Sequence, residues 1–404
     1  MSSRSNPGII AVAGAGTMGA GIAQVAATNG HDVVLLDVSE DALERAEASL
    51  GRILVRLEEK GRISADERSA ILRRITFSTS QDAAVDAGFA VEAVVEDLET
   101  KRVLLASLDR LLGDDAVLAT NTSSLSVTAI AEACADPRRV VGMHFFNPAP
   151  LMPLVEIVPG LRTSGKSVES ARALAESWDK VAVVARDTPG FIVNRVARPF
   201  YGEALRILDE GIADAVTIDW AMKEIGGFRM GPFELMDLIG NDVNFTVTRT
   251  VYEATFQHPR YRPSITQQRM VEAGRLGRKS GSGYYAYGDG AANTRDDTPD
   301  DTPDDTPPSR DEDVGRAIVD RIVAMLMNEA ADAVFWNVAT ARDIDLAMTK
   351  GVNYPRGLLE WIDDAGASWV VGHLRALRDR YGEERYNPSP ILLDQMASGE
   401  KFHG

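Results

Sequence analysis

The chain opens with short apolar runs that alternate with helical stretches. The apolar run Ile9–Val12 is followed by a glycine loop at Gly14–Gly19, a helical stretch at Ala20–Thr28 and a second apolar run at Val33–Leu36. Short apolar runs bounded by turn residues are typical of buried strands. The order strand, turn, helix, strand therefore predicts a parallel unit at the N-terminus.

The same alternation continues to about residue 188. Further apolar runs lie at Phe89–Val95, Ala116–Ala119 and Val140–Phe145, and helical segments separate them. Uninterrupted apolar strands indicate a sheet that is buried on both faces. We therefore predict an α/β domain over residues 1–188, with a Rossmann-like, doubly wound parallel sheet.

After Pro189 the pattern is helical only, and it repeats. Ile218–Met222 recurs as Ile344–Met348, at an offset of about 126 residues. Single residues recur at the same offset, namely Arg195 as Arg321, Glu203 as Glu329 and Asp237 as Asp363. This predicts two all-α domains in tandem, at residues 189–286 and 313–404. Residues 287–312, in which Asp-Asp-Thr-Pro occurs three times, are predicted to form an acidic, proline-rich linker.

Composition excludes several classes of partner. The formal net charge of -17 disfavours binding to nucleic acid or to an anionic membrane. Cys134 is the single cysteine, so the chain cannot form an intrachain disulfide. The five histidines are scattered, which argues against a metal site. With no secretory leader in Met1–Pro7, we expect a cytoplasmic protein without a membrane span.

The glycine loop and the strand after it predict dinucleotide binding. The GxGxxG motif and the residues inside it are Gly14, Gly16, Thr17, Met18 and Gly19. Such glycines permit a tight turn and let the backbone approach a pyrophosphate at a helix N-terminus. Asp37 closes the next strand, where a carboxylate can accept hydrogen bonds from ribose hydroxyls and repel a 2′-phosphate. The pattern favours NAD over NADP, the alternative being a tight turn with no ligand.

Polar residues at the ends of later strands suggest a catalytic pair. Ser123 follows one apolar run, and His144 lies at the end of another. Glu156 interrupts the apolar segment Leu154–Val158, where a buried carboxylate is costly unless it is paired. An imidazole beside a carboxylate is what alcohol oxidation by a nicotinamide cofactor needs, because the ring takes the hydroxyl proton. The alternatives are a histidine satisfied within the core and a glutamate exposed on an edge strand.

Two further features complete the candidate site. Asn194 lies where the helical region begins, so we expect it where the two domains meet, although it could be an ordinary polar residue of an early helical turn. Arg52, Arg56 and Lys60 share one face of a predicted helix and could meet an anionic ligand. Their alternative is a solvated basic face.

These motifs together resemble the 3-hydroxyacyl-CoA dehydrogenase family. The resemblance rests on the glycine loop, Asn121–Leu125, His144–Pro148, Leu154–Val158 and Thr188–Arg195, and it runs over nearly the whole chain. It implies NAD-dependent oxidation of L-3-hydroxyacyl-CoA to 3-oxoacyl-CoA. It also implies that His144 is the general base, that Glu156 is its partner, and that Ser123 and Asn194 position the substrate's oxygens.

The resemblance also assigns ligand contacts. It places NAD contacts at Asp37, Glu96, Lys101, Ser123 and Asn147, whereas an exposed ion pair is the alternative for Glu96 and Lys101. For coenzyme A it matches Lys60, with Arg56 beside it. Ile53 stands where the family has a serine, so that contact is lost or replaced.

Substrate and assembly stay open at this stage. The resemblance implies 3-hydroxybutyryl-CoA or 3-hydroxyadipyl-CoA as substrate. The rivals are a gulonate-type sugar-acid dehydrogenase, which has a His-Pro turn where this chain has His144-Phe145, and a catalytically silent NAD-binding structural or sensor protein. The chain resembles the long family members, which implies that its two helical copies form an intrachain pseudo-dimer. A homo-oligomer is also compatible with the resemblance.

Overall fold

The computed structural model describes residues 8–287 and 308–404. The chain divides into two compact units, Met1–Phe191 and Ile192–Gly404. Most of the predicted linker, residues 288–307, lies outside the described residues.

The first unit contains an eight-stranded sheet with the strand order β3-β2-β1-β4-β5-β6-β7-β8. The strands are β1 Ile9–Ala13, β2 Asp32–Leu36, β3 Ile75–Ser78, β4 Ala87–Glu92, β5 Val117–Thr120, β6 Val140–Phe145, β7 Leu154–Pro159 and β8 Val181–Val184. This confirms the predicted Rossmann-like α/β class. The prediction of a fully parallel sheet was wrong in one detail, because β7 pairs antiparallel with β6. The short connection between them allows this, whereas a parallel return needs a crossover of a dozen residues or more.

Helices cover both faces of this sheet. They are α1 Thr17–Thr28, α2 Glu40–Glu59, α3 Ala65–Arg73, α4 Leu98–Leu111, α5 Val127–Ala131 and α6 Gly165–Ser177. Alternate residues of each strand enter different cores. Ile10 and Val12 belong to one buried cluster, whereas Ala11 and Ala13 belong to another that also contains Leu105. This two-sided burial explains why the strands are apolar throughout.

The second unit is helical, as the pattern predicted. Its helices are α7 Val193–Val196, α8 Arg198–Asp209, α9 Ala215–Trp220, α10 Pro232–Ile239, α11 Asn241–Ala254, α12 Ile265–Glu272, α13 Glu312–Phe335, α14 Ala341–Gly351, α15 Leu358–Ala365, α16 Ala367–Tyr381 and α17 Pro390–Ser398, and a π-helical turn at Ala221–Ile225 follows α9. The long helix α13 is buried on most of its surface and packs against α8 as well as α14–α17. It therefore forms the core in which the two helical copies meet.

Two buried ion clusters join the helical copies. Glu329 of the second copy pairs with Arg195 at 2.7 Å and with Arg260 at 2.9 Å, both from the first copy. In the equivalent position, Glu203 of the first copy pairs with Arg321 at 2.9 Å and with Arg385, both from the second copy. Both glutamate side chains are fully buried. The clusters are reciprocal, since each copy supplies a carboxylate to the arginines of the other.

Two kinds of feature are absent from the part of the chain that the structure describes. None of the helices in residues 8–287 and 308–404 has both the length and the apolar character needed to cross a bilayer. Within the same ranges, no group of three or more His, Cys, Asp and Glu side chains is arranged to hold a metal ion.

Candidate active site

The glycine loop follows β1 and runs directly into α1. Gly14 has a φ of 110°, and a Cβ there would lie 2.5 Å from the carbonyl oxygen of Ala93. A Cβ on Gly19 would lie 1.7 Å from the carbonyl oxygen of Gly14, whereas a Cβ on Gly16 would meet nothing within 4 Å. Gly14 and Gly19 thus close the turn, and Gly16 leaves open space at the helix N-terminus, as a pyrophosphate requires.

The helix begins earlier than the sequence pattern indicated. We expected helical structure from Ala20, but α1 starts at Thr17, so Thr17, Met18 and Gly19 form its first turn. The apolar periodicity begins only later, which explains the displaced boundary. The early start places the unpaired backbone N–H groups of the first turn beside the loop, where they favour an anion.

Asp37 lies just beyond β2 and is tied to the glycine loop. Its Oδ2 accepts a hydrogen bond from the backbone N–H of Ala15 at 2.8 Å, and its Oδ1 accepts one from Ser39 at 3.0 Å. The carboxylate is therefore held at the carboxyl edge of the sheet, which is where ligands bind in doubly wound folds. Its contact with the adenosine ribose stays a prediction.

A cleft of about 1270 Å³ opens over this edge. Its lining comes from the glycine loop, Asp37, one face of α2 and one face of α4. Arg52 is part of the lining, whereas Arg56 and Lys60 are exposed and are not. Lys60 follows the last residue of α2, so only the two arginines lie within the helix. The structure therefore separates Arg52 from the other two basic residues of the predicted patch.

Glu96 organises the loop that follows β5. Its Oε1 accepts hydrogen bonds from the hydroxyl of Thr122 at 2.7 Å and from the backbone N–H of Ser123 at 2.8 Å. The Ser123 hydroxyl also donates to it, at 3.3 Å. Burial by itself would raise the pKa of Glu96, but Lys101 and these hydrogen bonds outweigh burial and lower it. The structure thus brings together three predicted site residues, Glu96, Lys101 and Ser123.

Lys101 belongs to a buried ion network that the sequence analysis missed. Its Nζ lies 2.8 Å from Oε1 of Glu92 and 3.1 Å from Oε2 of Glu96. Glu92, the last residue of β4, is fully buried, and its Oε2 accepts a hydrogen bond from Thr120 at 2.6 Å. The signal that could have revealed it was a glutamate closing an apolar strand. Because Lys101 is only 1% exposed, this is not the exposed ion pair that we considered as the alternative.

His144 and Glu156 form the pair that the sequence suggested. They are directly opposite each other in the antiparallel β6–β7 register, so their side chains leave the same face of the sheet. His144 Nδ1 lies 2.6 Å from Oε2 of Glu156, and both side chains are buried. With Nδ1 donating to the carboxylate, the lone pair of the ring is at Nε2. The pair is thus arranged to accept a proton at Nε2.

Aromatic and amide groups surround this histidine. The ring of Phe146 lies 4.5 Å from the His144 ring, centroid to centroid, and that of Phe191 lies 5.9 Å away. Asn121 Oδ1 accepts a hydrogen bond from the backbone N–H of Phe145 at 2.8 Å, which ties the loop after β5 to the end of β6. Asn147 is exposed on the turn after β6. These contacts fix the strand end that carries His144.

Asn194 lies in the second unit. It is the second residue of α7 and is partly buried. Its role toward the substrate stays a prediction.

Family models and similar proteins identify the same family for this chain. The model of the 3-hydroxyacyl-CoA dehydrogenase NAD-binding domain matches residues 9–188, and that of the C-terminal domain of the same family matches residues 190–287 and 318–403. The chain is 39% identical to the 3-hydroxyadipyl-CoA dehydrogenase of Escherichia coli (strain K12), over 95% of this chain and 96% of that protein. It is 40% identical to a 3-hydroxybutyryl-CoA dehydrogenase of Clostridioides difficile, over 69% of this chain and 99% of that protein.

Solved structures agree with the sequence comparison. The crystal structure of a 3-hydroxybutyryl-CoA dehydrogenase from Escherichia coli K12 matches with a TM-score of 0.89 and 38% identity, covering 98% of this chain and 99% of that one. The glycine loop and the acidic residue after β2 are the features that NAD requires. The chain therefore belongs to the 3-hydroxyacyl-CoA dehydrogenase family of NAD-dependent oxidoreductases.

Proposed function

We propose that the protein oxidises the 3-hydroxyl of an L-3-hydroxyacyl-CoA with His144 as general base. The observation that carries this proposal is the 2.6 Å contact between His144 Nδ1 and Glu156 Oε2 in a buried position. A carboxylate in this place fixes the ring tautomer and stabilises the imidazolium that forms when the ring takes a proton. A histidine that served only packing could be satisfied by any single hydrogen-bond partner. It would not need a buried carboxylate as that partner.

Each residue of the site then has a separate role in the reaction. NAD, when bound, accepts the hydride from the carbinol carbon. His144 Nε2 takes the hydroxyl proton, and Glu156 holds the ring and compensates its charge. Ser123 and Asn194 position the substrate's oxygens, as the family resemblance implies. The hydrogen bonds of Glu96 to Thr122 and Ser123 support this by fixing the loop that carries Ser123.

The cofactor contacts follow from the loop geometry. The pyrophosphate is proposed to lie at the open space beside Gly16, where the first turn of α1 offers backbone N–H groups. Asp37 is proposed to bind the adenosine ribose, and Glu96, Lys101 and Asn147 are proposed as further NAD contacts. For Lys101 the contact would be indirect, through Glu96, because its Nζ is already held by two carboxylates.

Lys60 and Arg56 are proposed to meet the coenzyme A moiety. Both are exposed, as a contact with a solvated phosphate requires. Arg52 lines the cleft over the glycine loop and is a further candidate for an anionic group there.

The helical copies are proposed to form a pseudo-dimer within one chain. The reciprocal pairing of Glu203 and Glu329 with arginines of the opposite copy supports it, because such a swap is what a two-fold arrangement produces. We also propose that the chain consists of a domain at residues 1–188, helical domains at residues 189–286 and 313–404 and a linker at residues 287–312, and that the protein works in the cytoplasm.

The test is an NADH absorbance assay with NAD and L-3-hydroxybutyryl-CoA or L-3-hydroxyadipyl-CoA. Free L-3-hydroxybutyrate and NADP serve as controls. We expect turnover only with a thioester and NAD. His144→Ala should lower kcat by about two to four orders of magnitude, the usual size of a general-base effect.

A matched variant is His31→Ala, which removes another histidine of the same unit that is only 9% exposed. It should leave kcat within about threefold of wild type, since the His31 ring packs against Trp178 and is not paired with Glu156. If the two variants lost activity to the same extent, or if the free acid were turned over as well as the thioester, the proposal would be wrong.

A further inference from the structure

One buried arginine of the second unit has no counter-ion among the residues that the structure describes. Arg198, the first residue of α8, is only 6% exposed, yet it forms no ion pair with any carboxylate among the described residues. Its Nη1 donates to the hydroxyl of Thr248 at 3.0 Å, and its guanidinium lies over the ring of Tyr201 at 4.9 Å. Its Nε has no hydrogen-bond acceptor in that part of the chain. A buried cation in this condition is costly unless an anion joins it.

A second buried donor without an acceptor belongs to the same aromatic cluster, because Phe200 contacts both Tyr201 and Tyr354. Tyr354, from the second helical copy, is 6% exposed, and its hydroxyl has no hydrogen-bond partner within residues 8–287 and 308–404. Its ring packs against Phe200 and Phe228, at centroid distances of 5.7 Å and 5.0 Å. Burial lowers the pKa of Arg198 and raises that of Tyr354, so each environment disfavours the charged form in the absence of a ligand.

The repeat shows that the fold does not need a cation here. At the offset of about 126 residues, Arg198 corresponds to Ala324, Tyr201 to Met327 and Thr248 to Leu374. All three counterparts are fully buried. The same position in the second copy is therefore filled by apolar side chains, which is the cheaper way to build a core. Packing therefore does not explain why Arg198, Tyr201 and Thr248 are polar.

The spacing between Arg198 and Asn194 fits a carboxylate at the end of the acyl chain of the substrate. Ala197 keeps helical backbone angles, with φ -78° and ψ -10°, so Arg198 lies one turn after Asn194. One turn separates such side chains by about 5–6 Å. In a 3-hydroxyadipyl chain, three carbon–carbon bonds separate the carbinol carbon from the distal carboxyl carbon. This span is comparable with one helical turn, and it would bring the carboxylate toward Arg198 if Asn194 positions the substrate's oxygens.

We propose that Arg198, together with the hydroxyl of Tyr354, binds the distal carboxylate of a dicarboxylyl-CoA substrate and selects it over monocarboxylyl thioesters. The proposal rests on the dehydrogenase function above and names its substrate class. The guanidinium supplies the charge and the Tyr354 hydroxyl supplies a second donor. The second helical copy then contributes a residue to substrate recognition, through Tyr354.

The experiment compares two thioesters of equal chain length, L-3-hydroxyadipyl-CoA and L-3-hydroxyhexanoyl-CoA, in the full chain with NAD. Wild type should prefer the adipyl substrate in kcat/KM. Arg198→Met should reduce the adipyl-to-hexanoyl ratio of kcat/KM by about 100-fold, because the buried carboxylate loses its counter-ion. Tyr354→Phe, which keeps the ring, should reduce the ratio by about five- to tenfold.

Arg206→Met is the matched control. Arg206 is on the same helix but pairs with Glu383 at 3.0 Å, with both side chains partly exposed. It should leave the ratio within about twofold of wild type. A wild-type enzyme without preference, or an Arg198→Met variant that lowers both values equally while Tyr354→Phe changes neither, would overturn the carboxylate site and leave the dehydrogenase function standing. Failure of wild type on both thioesters and on L-3-hydroxybutyryl-CoA would overturn the function itself.

Discussion

The two helical copies of the second unit share the polar residues that build their structure and differ in the polar residues around α7 and α8. Asp219 of the first copy accepts hydrogen bonds from the backbone N–H groups of Phe233 and Glu234 at the start of α10. Asp345 of the second copy does the same for Leu359 and Glu360 at the start of α15. A helix cap conserved between copies serves the fold of each.

The differences concentrate around α7 and α8. In the second copy the equivalent residues lie within one uninterrupted helix, α13. In the first copy the helical hydrogen-bond pattern is interrupted at Ala197, although its backbone angles stay helical, two residues before Pro199, which cannot donate a backbone hydrogen bond. Asn194 and Arg198 flank this break, and their counterparts are Asp320 and Ala324. The comparison teaches that what the copies share builds the core, whereas what only the first copy has is the candidate for function.

We expect the largest loss of stability when a carboxylate is removed from the buried ion clusters that join the two copies. Burial by itself would raise the pKa of Glu329, but Arg195 and Arg260 outweigh burial and lower it. Glu329→Gln keeps the shape and removes the charge, so both guanidinium groups lose their common carboxylate. We expect the free energy of unfolding to fall by about 3–5 kcal/mol in urea denaturation.

Glu203→Gln should cost less than Glu329→Gln, because burial outweighs the arginines around Glu203 and raises its pKa, whereas the pKa of Glu329 is lowered. Glu383→Gln, which removes a partly exposed carboxylate paired with Arg206, should cost less than about 1 kcal/mol. If Glu329→Gln were no more harmful than Glu383→Gln, the clusters would not be what joins the copies.

The next largest effect should distinguish Asn194 from Asp320, which occupies the equivalent position in the second copy. Asn194→Ala should lower kcat/KM for the thioester by about 10–100-fold, the cost of losing a hydrogen bond that positions the substrate. Asp320→Ala, at the equivalent place in the second copy, should change kcat/KM by less than about twofold. Steady-state kinetics on both variants decide this. Equal losses would mean that the position matters for folding in both copies.

The smallest effect on stability should distinguish two hydrogen bonds that are made to equivalent aspartates, Asp219 and Asp345. The Tyr285 hydroxyl donates to Asp219 Oδ2 at 2.7 Å and is buried, whereas His403 Nε2 lies 2.9 Å from Asp345 Oδ2 with its side chain 37% exposed. Tyr285→Phe should cost about 1–2 kcal/mol, because water cannot replace the lost donor. His403→Ala should cost less than about 0.5 kcal/mol. Thermal unfolding of both variants tests the order, and a reversed order would contradict it.

Features that depend on local residue pattern could be predicted from the amino-acid sequence alone. The glycine motif, Asp37 after the next apolar run and the repeat of Arg195 as Arg321 all concern residue types at fixed spacing, and spacing is visible in one dimension. The partner of Glu156 was also predictable, because a carboxylate among apolar strand residues needs one. The same reasoning would have found Glu92 at the end of β4.

Only the tertiary structure decided which distant side chains meet. The antiparallel register of β6 and β7 sets His144 opposite Glu156, and a slip by one residue would turn the glutamate to the other face. Packing likewise buried Lys101 between two glutamates and placed the Tyr354 ring against Phe200, although Tyr354 and Phe200 are far apart in sequence. Such contacts depend on how whole elements pack, and no residue spacing encodes that.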